Sequence, residues 1–143
     1  MPLLKFTEKD ISRMQPPDKG FHKFKITNLE ETINKKKDGT NVTFTLECTE
    51  SAVDDRNIGR IVEPLFPTNY PTMMVDLIAA VWKLPLDEAK KRIVTIQKKG
   101  EEIELQDFIG ETVWNEVVDE PFENRVIRKC GPTWVSGNAE PPF

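Results

Sequence analysis

Apolar and polar residues alternate most regularly on either side of one lysine-rich turn. Over residues 41–48, Val42, Phe44, Leu46 and Cys48 share one face, and Asn41, Thr43, Thr45 and Glu47 share the other. That period of two is the signature of a half-buried strand. Upstream, residues 21–28 put Phe24 and Ile26 on the apolar side and Lys23 and Lys25 opposite. The connecting run Asn34-Lys35-Lys36-Lys37-Asp38-Gly39-Thr40-Asn41 contains the Asp-Gly step of a tight hairpin turn, so residues 20–48 read as one hairpin.

The rest of the pattern is shorter-ranged. Residues 51–59 are polar and end in glycine, as a loop does, and residues 60–66 form a third strand whose end Pro64 demotes to an edge or bulge. Thr72 is placed to cap a helix over 73–82, where Met74, Leu77, Ile78 and Val81 recur at helical spacing. Pro85 ends that helix, and Asp87 is placed to cap a short one over 88–92. Residues 93–105 fit either a helix continuation or a small hairpin turning at Lys99-Gly100, and their β-branched content favours the hairpin. Fourth and fifth strands follow at 112–118 and 125–130, separated by a turn-rich segment, and Gly131-Pro132 stops the last.

Five short strands with a helical insert between the third and fourth predict an all-β, five-stranded OB-fold barrel over residues 20–130. Residues 1–19 form an N-terminal arm broken by Pro16-Pro17, and residues 131–143 a C-terminal tail. In such a barrel the binding face is made by strands two and three, flanked here by the loops 34–41 and 119–124.

Composition narrows the class. The chain has 143 residues, 31% charged and 38% apolar, with a formal charge of −4, which suits a single globular domain rather than a disordered or membrane protein. No apolar run approaches the roughly 20 residues that span a bilayer, and the first ten residues lack a signal-peptide core, so a cytoplasmic location and no membrane partner are expected. In that compartment Cys48 and Cys130 are expected as reduced core residues rather than a disulfide.

The pieces Phe6-Thr7-Glu8-Lys9-Asp10, Gly20-Phe21-His22-Lys23-Phe24-Lys25-Ile26, Lys37-Asp38-Gly39-Thr40-Asn41, Gly59-Arg60, Leu105-Gln106-Asp107-Phe108-Ile109-Gly110 and Glu120-Pro121-Phe122-Glu123-Asn124-Arg125 together resemble small phage-encoded single-stranded DNA-binding proteins of OB-fold type. The resemblance implies a protein that coats and protects single-stranded DNA in phage replication or recombination, in the host cytoplasm. The end Glu140-Pro141-Pro142-Phe143 resembles the tip with which bacterial single-strand binding proteins recruit replication or recombination partners, although the acidic run that normally precedes it is missing here. Pro142 and Phe143 are the candidate partner-binding residues.

A sequence-tolerant single-strand binder needs cations that track phosphates and aromatic faces that stack on bases. Six lysines fall between Lys19 and Lys37, against Glu30 and Glu31, whereas residues 101–123 hold nine acids and no Lys or Arg. Segregation of this kind can steer an anion to one face of an acidic protein. The candidate contacts are Lys23, Lys25, Lys35, Lys36, Lys37, Asn41, Thr43, Arg60, Arg125 and Arg128, with Phe66, Tyr70, Trp114 and Phe122 as stacking surfaces. For Trp114 two registers are open: outward with Glu116 and Val118, or inward as core. The single histidine, His22, has no ligand-spaced partner and reads as a strand surface residue. No zinc pattern, phosphate loop or nucleophile elbow is present, so no enzyme activity, metal or cofactor is expected. Two other roles stay open: a protein-interaction adaptor on the same barrel, and an RNA binder on the same face.

Overall fold

In the computed structural model, which describes residues 2–36 and 39–139, the sheet is organised around strand β1 (Gly20–Ile33). One edge of β1 pairs antiparallel with β2 (Thr40–Ser51) and the other with β5 (Thr112–Phe122). Two short strands, β3 (Ile61–Val62) and β4 (Leu65–Pro67), extend the β2 side, and β6 (Arg125–Ser136) extends the β5 side. The fold is therefore mostly β, a six-stranded antiparallel sheet of order β3-β2-β1-β5-β6 with β4 also on β2. Three α-helices accompany it: α1 (Glu8–Arg13), α2 (Val75–Trp82) and α3 (Leu86–Lys98).

Two bulges bend the central hairpin. Thr49 is the extra residue of β2 opposite the Lys23/Phe24 step, and Thr27 is the extra residue of β1 near Thr45. Each bulged threonine donates its hydroxyl across the ladder, Thr49 to the Lys23 carbonyl at 3.3 Å and Thr27 to the Thr45 carbonyl at 3.2 Å. Bulges increase local twist. With this curl the Phe66 ring on β4 comes within 6.4 Å of Trp134 on β6, although their strands lie at opposite ends of the sheet order.

The alternation in β1 and β2 is observed as read, with Phe24, Ile26, Val42, Phe44, Leu46 and Cys48 all buried. Helix α2 closes the core, burying Leu77, Ile78, Ala79, Ala80 and Val81. A single leucine buried this fully contributes roughly 1.5–3 kcal/mol. Lys83, in the left-handed conformation at φ 60°, turns the chain out of α2.

Several expectations are corrected. The hairpin expected over 93–105 is instead helix as far as Lys98, because Ala89, Ile93 and Ile96 form a stripe at helical spacing facing α2 and the core. Burial of that stripe outweighs the β-branched penalty of a few tenths of a kcal/mol per residue. Thr72 lies inside a 3-10 turn (Pro71–Met74) and caps nothing, and Asp87 sits in the first turn of α3. The third strand splits in two at Pro64. The last strand continues beyond Gly131-Pro132 to Ser136 through a bulge.

That bulge sets Glu116 alone against residues 131–133. The Asn115 amide donates to the carbonyls of Gly131 at 3.0 Å and Thr133 at 2.9 Å, satisfying groups the ladder leaves free. A Cβ at Gly131 would stand 2.5 Å from the Glu116 carbonyl oxygen, so only glycine fits there. Among the described residues, no helix is long and apolar enough to cross a membrane, and no group of His, Cys, Asp and Glu is arranged to hold a metal.

Candidate nucleic-acid interface

The structure brings together part of the expected binding set. The Lys35-Lys36 turn is exposed, and the loop after β4 is laced to the strand that follows it. The Thr68 N–H donates to the Thr40 carbonyl at 2.9 Å, the Thr40 N–H donates to the Thr68 hydroxyl at 3.3 Å, and the two hydroxyls lie 2.8 Å apart. The Asn69 side chain lies beside Gly39, 3.4 Å from where a Cβ would be. Tyr70, 63% exposed, therefore stands on a loop fixed against the lysine turn. Asn41 and Thr43 are half-buried on the outer face of β2, paired with Pro67 and Leu65. Lys37, Pro142 and Phe143 lie outside the described residues.

Lys23 and Lys25 point to the outer face as expected, but their cross-strand partners are Glu50 and Glu47, so that edge is charge-balanced rather than purely basic. At the tip of the β5–β6 hairpin, Phe122 is 48% exposed and the Arg125 guanidinium lies 5.8 Å from its ring. Arg128 donates to Asp119 at 2.9 Å, a bond that holds the Asp119 carboxyl below its usual pKa.

Three candidates are corrected. Phe66 is buried core, packed edge-on against Phe44. Trp114 is 1% exposed, yet it lies outside the apolar cluster between sheet and helices. It pairs with Lys23 on β1 and Val135 on β6, on the outer side, and its indole N–H donates to the Ala139 carbonyl at 3.1 Å. The ring thus lies on the side the outward register gives it, but it is buried there and offers no open face to a base.

Arg60 is the third. Its guanidinium is buried and donates to the Ser12 carbonyl at 2.9 Å, the Ser12 hydroxyl at 2.9 Å and the Asn57 side-chain oxygen at 3.2 Å, with Asp18 at 3.5 Å. Asn57 in turn accepts from the Asp18 N–H at 2.8 Å, and Arg56 pairs with the Asp18 carboxylate at 2.9 Å. The cluster clamps residues 12–18 onto the loop before β3 and keeps the Arg60 guanidinium buried, out of reach of a phosphate. Burial pushes the Asp18 pKa up, but the bonds from Arg56 and Asn57 and the Arg56 and Arg60 charges outweigh it, so the net shift is downward.

His22 is likewise buried, not a surface residue. Its Nε2 lies 2.7 Å from the Asp18 carbonyl and its Nδ1 2.8 Å from the Ser51 hydroxyl. Only N–H at Nε2 satisfies the carbonyl, so Nδ1 accepts from Ser51, whose oxygen accepts the N–H groups of Val53 and Asp54. Burial lowers the His22 pKa and keeps the ring neutral, against the opposing pull of the Asp18 carbonyl and charge. Sequence reading missed the polar cluster of Ser12, Asp18, His22, Ser51, Asn57 and Arg60 because its members lie up to 48 residues apart.

Both thiols are free, with burial pushing Cys48 up to about 11 and Cys130 up to about 12. Cys130 lies in a groove of about 720 Å³ between β4 and the β5–β6 hairpin. Phe66, Trp134, Leu65, Met73 and Val118 give it an apolar lining, and Glu63, Asp76, Asp119 and Glu120 surround it, with Lys129 the one basic residue of its wall. Compared with known proteins, the chain matches no protein-family model and no curated protein.

Proposed function

We propose that this protein binds single-stranded DNA without catalysis and with little sequence preference, coating and protecting it in phage replication or recombination. The strand order supports the OB-fold reading behind that proposal. A three-strand meander (β1, β2 and the split β3/β4), a helical insert and a closing hairpin run in the order such a barrel requires, and its two ends approach at Phe66 and Trp134. The observation that carries the proposal is the lacing of Thr40 to Thr68, which holds the loop bearing the exposed Tyr70 against the C-terminal end of the lysine turn at Gly39 and Thr40. An aromatic on a braced loop next to exposed cations is the minimal unit for stacking one base while neutralising neighbouring phosphates.

Titration with fluorescent oligo-dT, duplex DNA and single-stranded RNA tests it. Oligo-dT is expected to bind best, with affinity falling as salt rises. Replacing Lys35, Lys36 and Lys37 by Ala should flatten the salt slope by up to about two units, each single-strand phosphate contact contributing roughly 0.7. Absence of oligo-dT binding at low salt overturns the proposal, tighter binding to RNA turns it into an RNA-binding one, and an unchanged slope removes the lysine turn from the interface.

A further inference from the structure

The segment ahead of α1 belongs to no helix or strand, and its apolar side chains are largely open to solvent: Leu3 is 94%, Leu4 82% and Phe6 56% exposed. Its direction is fixed from behind. Thr7 and Asp10 cap each other at the start of α1, and the Arg60 cluster holds residues 12–18, so residues 2–6 leave the body of the protein from an anchored base. Those residues carry Lys5 and no acid.

The groove between β4 and the β5–β6 hairpin has the opposite character. Its apolar wall includes Leu65 and Met73, both more than half exposed. Of its four carboxylates, Asp119 is held by Arg128 and Lys19, and Glu120 by Lys129. Glu63 and Asp76 meet no cation among the described residues. An apolar slot with uncompensated negative charge disfavours a phosphate backbone and suits an apolar segment that brings a cation.

We infer that the groove receives the N-terminal arm of a second copy of this chain, with Leu4 and Phe6 against the apolar wall and Lys5 facing Glu63 and Asp76. The inference does not rest on DNA binding. Large exposed apolar side chains on one segment and an apolar groove elsewhere on the same molecule are complementary, and each chain both donates an arm and accepts one. Because the two surfaces differ, the contact is heterologous and does not require a two-fold axis.

Sedimentation velocity on the full chain over a wide concentration range tests this. The mass of the wild type should rise with concentration, and less so at high salt. Leu4→Asp spoils only the arm, and the pair Glu63→Lys with Asp76→Lys spoils only the groove. All three positions are exposed, so melting curves should be unchanged. Each variant alone should remain monomeric, whereas an equimolar mixture should form a one-to-one pair, the intact arm of one seated in the intact groove of the other. The inference is overturned if the wild type stays monomeric, if association survives in Leu4→Asp, or if the mixture does not pair. A monomeric wild type that binds an added cationic, apolar peptide through Glu63 and Asp76 also overturns it, and assigns the groove to a foreign protein segment.

Discussion

The indole N–H of Trp114 donates to the carbonyl oxygen of Ala139 at 3.1 Å, so a tryptophan on the outer side of the sheet is tied to the chain that leaves β6. Truncating it removes a buried ring and a segment's anchor together. Trp114→Ala is expected to cost about 3–5 kcal/mol of stability, while Trp114→Phe keeps most of the packing and loses about 1 kcal/mol with the hydrogen bond. Urea denaturation followed by circular dichroism measures both. A Trp114→Ala protein as stable as wild type would return this ring to the list of stacking candidates.

The exposed aromatics should behave in the opposite way. Tyr70→Ala and Phe122→Ala are each expected to weaken oligo-dT binding by about 1–3 kcal/mol with little change in melting temperature. Fluorescence anisotropy and a thermal melt on the same samples separate the two effects. A drop in melting temperature without loss of binding would make the ring a packing residue.

Arg60 separates structure from binding most sharply. Replacing it by Met takes the donor from the Ser12 carbonyl and one of two cations from the Asp18 carboxylate, which keeps its bonds to Arg56 and Asn57, a change expected to cost about 1–3 kcal/mol. The slope of oligo-dT affinity against salt should not change, since the guanidinium is not free to reach a phosphate. A slope lowered by about 0.7 in a folded Arg60→Met protein would show that Arg60 does contact the strand.

Acid should destabilise the protein in two separate windows. His22 has a folded pKa below its ordinary 6.5, so its contribution is complete above that value and is lost as pH falls through the lower folded pKa. The depressed carboxyls of Asp18 and Asp119 contribute above their ordinary 3.8 and lose that contribution only as pH falls below it. Urea midpoints measured from neutral pH to pH 3 should therefore decline first below about pH 6.5 and again below about pH 4. In His22→Gln the first decline should disappear and the second remain.

The sheet was readable wherever one face is core and the other is wet, since burial there imposes a period of two. Val42 to Cys48 and Phe24 with Ile26 meet that condition. The pattern did not reveal residues 93–98, because a single inward stripe of buried Ala89 and half-buried Ile93 and Ile96 is compatible with two periods until α2 is present to pack on it. Nor did it reveal the fate of Trp114, whose direction followed from alternation but whose hydrogen-bond partner is Ala139, 25 residues away. The binding candidates divided the same way. Lys35, Lys36, Tyr70 and Phe122 are exposed because turns and hairpin tips are, whereas Arg60 and His22 were claimed by long-range hydrogen bonds that no local spacing encodes.

The sheet's outermost strands bear on how the protein behaves in concentrated solution. At one margin β3 is two residues long and Pro64 follows it after Glu63, and at the other β6 is broken by the Gly131-Pro132 bulge and carries Arg125, Arg128 and Lys129. Neither margin offers the long, flat run of unpaired amides that templates amyloid-like stacking. The protein should withstand crowding without strand-to-strand polymerisation, leaving assembly between copies to side chains.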